Sequence, residues 1–555
     1  MPLPLPNAAE LKKTTPGQSK EILGLKRFYP LSLRRTDKGW QVQIYWQRLL
    51  LSIVLLACLG WIGSMSAAYA FVKYQRGVTE LHYVDMLLLP ARWQTYQVTR
   101  GDASIRTAQA QLKEQKYREA FTNLRIGVTK SPANKEGRML LIQFYGLWRR
   151  PDLAKQALLD GLPYHQADKG YLKLLFSYLL QQQDDEQVIA IAKDLLKSDQ
   201  TLTERNQLIA LASASASFFR GNYDRTEDIL HAYGLESTRD GRLLNARMEW
   251  ERGRKDAALD HLRQLTSELP KDEEIYIQTV SYLREAGRDA EARRESFLRS
   301  LGNPNDARSR IDLIYSLHKE GNAAAVKSNV EEILRDFANN PTALMALADF
   351  AANTGDAALA RRIYEYTKLR RFDYEGAGLM AIEANIVSGQ YQTALELVRD
   401  LLKENPSWNR RYASVFNGLQ AIAHYGLGDA ESAQLFLNNF LNQTTLRAEN
   451  LLAVSKRLLA VGAKSQARQV LVQAVKSDPL NQAALTSLIK LDLELNNTDT
   501  LAASVGQLLA MRKPSVEVLD AAYRKLGGDL FLFAPNRSAL LLNLRGAIET
   551  ARTRS

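Results

Sequence analysis

The 555-residue chain has one cysteine, Cys58, and six histidines. A single cysteine excludes a disulfide framework and any CxxC zinc or dithiol site. The histidines (His82, His165, His231, His261, His318 and His424) never take the HExxH spacing or another paired-ligand spacing. No GxxxxGK[ST] phosphate loop and no GxSxG nucleophile elbow occurs. Gly462-Ala463-Lys464-Ser465 shares only the end of the phosphate-loop pattern and reads as a turn. Acidic pairs such as Asp184-Asp185 and Glu331-Glu332 fall where helix starts and solvated helix faces explain them. No catalytic residue, metal ligand or cofactor is assigned, and the chain reads as non-enzymatic.

Charge of one sign is scarce except at one end. The net charge is +12. Residues 1–48 hold nine basic side chains (Lys12, Lys13, Lys20, Lys26, Arg27, Arg34, Arg35, Lys38 and Arg48) against Glu10, Glu21 and Asp37, which is half of that excess. A nucleic-acid binder carries its excess on its folded part, so no nucleic-acid partner is expected. Here the basic stretch adjoins an apolar run, Leu49–Val72, that contains no charge. As a helix it reaches about 36 Å, enough to cross a bilayer core of ~30 Å. Arg48 and Lys73 close its ends, and Tyr45, Trp46, Tyr69 and Tyr74 stand where interfacial aromatics anchor a span. The basic side predicts a cytoplasmic N-terminus, with everything after Val72 outside. A cleaved signal sequence is the competing reading, because Ala68-Tyr69-Ala70 fits a small-x-small cleavage site. The run and the tail are long for that. Cys58 is then an apolar filler within the span. Gly60, Ser64 and Ala68 form a small-residue stripe that could support a homodimer.

Beyond a connector (73–101) the sequence repeats. One small-residue position can be followed through Ala120, Ala154, Val188, Thr226, Ala258, Ala292, Val326, Ala360, Ala394, Ala433, Ala467 and Leu501. Eight of the eleven steps are 34 residues, and the others are 38, 32 and 39. A long-kept period of this length signals a solenoid. Each unit reads as two amphipathic helices joined at a glycine turn. In one unit Leu379, Ile382 and Ile386 share a side of the first helix, and Leu395, Val398, Leu401 and Leu402 follow in the second. Proline falls 12 residues after the small position at Pro132, Pro270, Pro304, Pro406 and Pro479 and ends the second helix. Alanine suits a site where two helices cross closely. Twelve units fit residues 102–512, and 513–555, with an amphipathic helix at Arg537–Arg552, predicts a cap over the open end.

The period, the small residue and the following proline resemble the tetratricopeptide repeat (TPR) family. The family's small residue in the first helix falls at Ala108, Ala246, Ala348 and Ala421, but is replaced by Ile142, Phe176, Val280, Ile314 and Ile382 elsewhere. The repeats are therefore divergent. The resemblance implies an all-α solenoid of helical hairpins behind one transmembrane helix. It also implies protein partners bound along the first helices. Projecting the family's groove positions onto this register gives Arg247, Trp250, Ser281, Arg284, Tyr315, Asp349 and Glu383. Membrane-tethered relatives suggest a scaffold of a cell-envelope assembly (secretion, pilus or polysaccharide export). It would sit in the inner, cytoplasmic membrane with its array in the periplasm. A cytoplasm-facing receptor or regulator is the alternative. A glycan-binding module, or an enzyme with an unrecognised groove site, is a further one.

Overall fold

The computed structural model describes residues 31–36, 39–44, 46–75, 77–148, 150–197, 201–303, 305–372, 374–443 and 446–554. Residues 1–30, which hold Lys12, Lys13, Lys20, Lys26 and Arg27, together with Lys38, Tyr45, Arg149 and Pro304, lie outside the described residues. The chain divides into two compact units between Gln166 and Ala167.

The first unit opens with an antiparallel hairpin, β1 (Leu31–Thr36) and β2 (Gly39–Ile44), in register from Leu31↔Ile44 to Thr36↔Gly39. The helical reading had no place for this element, which falls within the stretch read as a basic tail. α1 (Trp46–Ala70) follows and continues as a π-helical turn, Phe71–Gln75. The span Leu49–Gln75 has mean hydropathy 2.1 and is long and apolar enough to cross a membrane. After Gly77, at φ +68°, a short helix α2 (Tyr83–Leu87) leads into α3 (Trp93–Lys113). α3 therefore begins inside the stretch read as a connector. It forms a hairpin with Tyr117–Lys130, and Lys135–Leu147 forms the next with Pro151–His165. The first pair crosses very closely: a Cβ on Gly127 would stand 2.5 Å from Ile105 and 2.9 Å from the Gly101 carbonyl, so only glycine fits. Phe121 fills the adjoining space against Phe144, Tyr145 and Trp148.

Ten further hairpins make up most of the second unit, from Lys169–Gln181 with Asp185–Lys197 to Gln482–Leu495 with Leu501–Leu509. Over both units the twelve small positions each fall in the first turn of a second helix. Eleven of them are at most 1% exposed, which is why alanine recurs there. Val326, half-buried, is the exception; beside it a cavity of about 570 Å³ opens towards Lys327 and Arg362.

The turns share one chemistry. From Gly253 to Gly462 the joining glycines have φ between 73° and 79°, a left-handed conformation that costs glycine little. Their successors donate to the carbonyl five residues back, as Arg288 to Leu283 (2.8 Å) and Gln390 to Asn385 (2.8 Å). That pattern satisfies the orphan carbonyls at a helix end. At the first and third hairpins Gln115 and Gln183 take the same conformation. The last helices, Val516–Leu526 and Arg537–Arg554, cover the array's end, where Leu540, Leu544 and Ile548 pack with Leu519, Leu526 and Phe531.

Candidate functional site

The seven groove positions all lie on first helices of the second unit, at or near successive repeat intervals. Their neighbours treat them unequally.

Arg247 is held within the wall. Its Nε donates to Gln278 Oε1 and its Nη2 to Glu274 Oε1, both at 3.0 Å. Glu274 also meets Arg239, whose guanidinium bridges to Asp272 at 2.8 and 3.0 Å. That guanidinium, with the amides of Ile275 and Glu274, holds the Asp272 carboxyl below the usual carboxylate range against partial burial. Trp250 is only 6% exposed and stacks on Tyr282 of the next repeat at 4.0 Å and 9°. Its ring closes the seam between repeats rather than standing free in the groove.

Further along, the contacts loosen. Ser281 is exposed. Arg284 Nη2 reaches the Asp312 carbonyl at 3.3 Å and Ser316 Oγ at 3.4 Å, and the Asp312 carboxylate stands 3.8 Å away. The Tyr276 hydroxyl, 2.9 Å from that carboxylate and 3.0 Å from Ser296, keeps its proton to unusually high pH because it is buried beside a negative charge. Tyr315 rests edge-on against Phe350. Its hydroxyl donates to Asp349 Oδ2 and accepts from Asn353 Nδ2, each at 3.3 Å. Burial pushes the Tyr315 phenol up.

Glu383 is taken by a residue that spacing does not point to. Arg457, 74 positions later, donates to it from Nε (3.0 Å) and Nη2 (2.8 Å), and also reaches Asn353 at 3.2 Å. The inner face is thus curved tightly enough for one arginine to touch two earlier first helices. A cavity of about 190 Å³ lies beside the pair, between Val415, Phe440 and Asn450. The sequence reading missed Asn353, although its place one turn after Asp349 on the same helix was a usable signal. Arg457 carried no such signal. Among the described residues no three His, Cys, Asp or Glu side chains gather as metal ligands would.

Hairpins of near-constant period, small residues buried at the crossing and left-handed glycine turns decide the architecture. The fold is an α-solenoid of TPR-like helical hairpins. No family model and no curated protein matches the chain's sequence. Solved structures with which the chain aligns include Naa15/Naa10 bound to HypK-THB, at 15% identity over 90% of this chain and 80% of that one, with a TM-score of 0.30. A tetratricopeptide repeat protein from Parabacteroides merdae aligns at 13% identity over 45% of this chain and 96% of its own, with a TM-score of 0.28. The APC/C hetero-tetramer Cut9-Hcn1 aligns at 14% identity over 82% and 97%, with a TM-score of 0.24.

Proposed function

We propose that the chain is a non-enzymatic, membrane-anchored scaffold that holds partner proteins of a cell-envelope assembly against the first helices of its repeats. The observation that carries this reading is the ladder from Arg284 to Asn353. Its hydrogen bonds measure 3.3–3.4 Å, at the long end of the useful range, and several of its members face solvent. Side chains so held can exchange their internal partners for those of an incoming extended segment at small net cost. Arg284 suits a carboxylate or a backbone carbonyl, and Asp349 suits a donor. The ion-paired ends at Arg247 and Glu383 frame this stretch and keep its geometry. An envelope site is supported by α1 and by the basic excess before it, which favours a cytoplasmic tail and a periplasmic array.

The test is photo-crosslinking in cells from Ser281 on the first-helix face and from exposed Lys327 on a second helix. We expect Ser281 to capture a discrete protein that is lost in the Arg284→Ala/Asp349→Ala variant and absent at Lys327. Identical adducts from both positions, or undiminished capture by the folded double variant, would remove the groove from consideration. Protease added to spheroplasts should digest the array without lysis, and protection until lysis would reverse the orientation.

A further inference from the structure

The end of α1 nearest the repeats is covered by the chain itself. Trp61 Nε1 donates to the Leu87 carbonyl at 2.8 Å, the Ser66 and Tyr83 hydroxyls stand 2.8 Å apart, and Tyr83 meets Tyr69 edge to face. The chain thus turns at Gly77 and runs back along α1, with Val78, Leu81 and Met86 packing towards Ala68, Tyr69 and Val72. On the uncovered side Val84, Leu88 and Trp93 are 46–51% exposed.

This fold-back fixes where a bilayer can lie. Trp61 precedes Val72 by about 17 Å of helix. A hydrocarbon core reaching to Val72 would therefore engulf Leu87 and its neighbours, including exposed His82 and the Asp85–Arg92 pair (2.8 Å). Ionisable side chains are strongly disfavoured there. A boundary near Trp61–Ser66 removes the conflict. The helix from Leu49 to Ser66 measures about 26 Å, close to the ~30 Å core, with Arg48 and Trp46 at one interface and Trp61 near the other. The returning segment also meets many of its own backbone needs, with Asp85 N bonded to the His82 carbonyl, Leu88 N to Val84 and Arg92 N to Leu88 at 2.9–3.1 Å. That is what an element entering the headgroup layer requires.

We propose that residues 78–93 form an interfacial collar that rests in the lipid headgroup layer on the repeat side of the membrane. Val84, Leu88 and Trp93 enter the acyl boundary, and Arg92 and His82 remain among the headgroups. The partner is the phospholipid surface itself. The collar shields the last turns of α1, including Ala68 of the small-residue stripe, from lipid and from a second copy. The inference rests on α1 being a membrane span.

The test uses the full chain in phosphatidylcholine/phosphatidylglycerol vesicles, with Cys58→Ser as background and an environment-sensitive fluorophore on Val54→Cys, Val84→Cys or Leu88→Cys. All three sites are exposed, so the substitutions leave the fold intact. We expect lipids brominated near the headgroup to quench positions 84 and 88 at least twofold, and lipids brominated near the chain end to quench position 54 most. Quenching at 54 alone, with 84 and 88 open to aqueous iodide, would overturn the collar and leave the span. No lipid quenching at 54 would overturn the span, and the collar with it.

Discussion

Arg512 and Asp185 stand 327 residues apart in the chain and meet in a two-pronged ion pair, Nε donating to Oδ2 at 2.8 Å and Nη2 to Oδ1. Asp185 is fully buried and is shared with Arg220 at 3.0 Å. Next to it Lys513 lies 3.6 Å above the Phe218 ring, where burial pushes its ammonium pKa down. Arg220 reaches the Ala510 carbonyl and Gln183 the Leu480 carbonyl. The repeats of the second unit thus curve until late ones touch early ones, and a cavity of about 510 Å³ opens at the meeting point.

Breaking this seam should cost more from one side than from the other. Asp185→Ala leaves Arg512 and Arg220 facing each other without their common anion, and removing one partner of a buried pair costs about 3–5 kcal/mol. Arg512→Ala leaves Asp185 with Arg220, so about 2 kcal/mol is expected, and the double variant should fall short of the sum. Hydrogen exchange across 171–197 and 501–526 measures this. Equal and additive losses would show that the pair does not bind the two regions together.

The buried small positions predict a sharp contrast between neighbours. Ala394 is fully buried where two helices cross, whereas Ala358 is exposed on a second helix. Ala394→Leu should destabilise by about 1–3 kcal/mol through overpacking. Ala358→Leu should stay within about 0.5 kcal/mol. Thermal denaturation of the two variants checks this, and a tolerant Ala394 would mean that the crossing is not tightly packed.

Acid should loosen the inter-helix carboxylates together. Arg254 holds Glu249 below its ordinary range, Arg242 holds Glu268, Arg239 holds Asp272, Arg362 holds Glu331 and Arg310 holds Asp336. Depressed carboxylates bind protons more weakly in the native state than in the unfolded state, so they stabilise at neutral pH. That contribution shrinks as the pH falls below about 4. Glu295 runs the other way, because burial raises it, but it is one group against five. The melting temperature should therefore be flat from pH 7 to 5 and fall steeply below 4. At 1 M salt the drop should shrink, because most of these pairs are exposed to screening. A flat profile down to pH 3 would discount these five ion pairs.

The period was readable because each repeat imposes the same local demand. Ala258, Ala360 and Ala467 are small for one reason, a close crossing, and the turns Gly287, Gly389 and Gly462 share one backbone conformation. The groove was only partly readable. Register placed Ser281, Arg284 and Tyr315 on first helices, yet whether a side chain is free depends on what the next repeat brings. Trp250 faced Tyr282, and Glu383 met an arginine two repeats on. Arg457 finds its partner through curvature accumulated over two repeats, and Arg512 through curvature accumulated over the many hairpins that separate it from Asp185. The fold-back on α1 was hidden because Leu87, Leu88 and Leu89 read as part of a connector. Their role becomes visible only once Trp61 is seen to donate to a carbonyl among them.

An open solenoid couples only neighbouring repeats, so removing its terminal cap frays the adjacent units and leaves distant ones unchanged. The seam changes that expectation here. A chain ending at Asn536 loses Leu540, Leu544 and Ile548 and uncovers Leu519, Leu526 and Phe531. The loosened end carries Arg512 and Lys513, and with them the contacts to Asp185 and Phe218. Hydrogen exchange should therefore quicken in two separated stretches, 482–526 and 171–223, while 341–427 keeps its protection. Loss confined to 482–526 would mean that the Arg512–Asp185 contact transmits nothing. Loss throughout would mean that the second unit unfolds as one cooperative block.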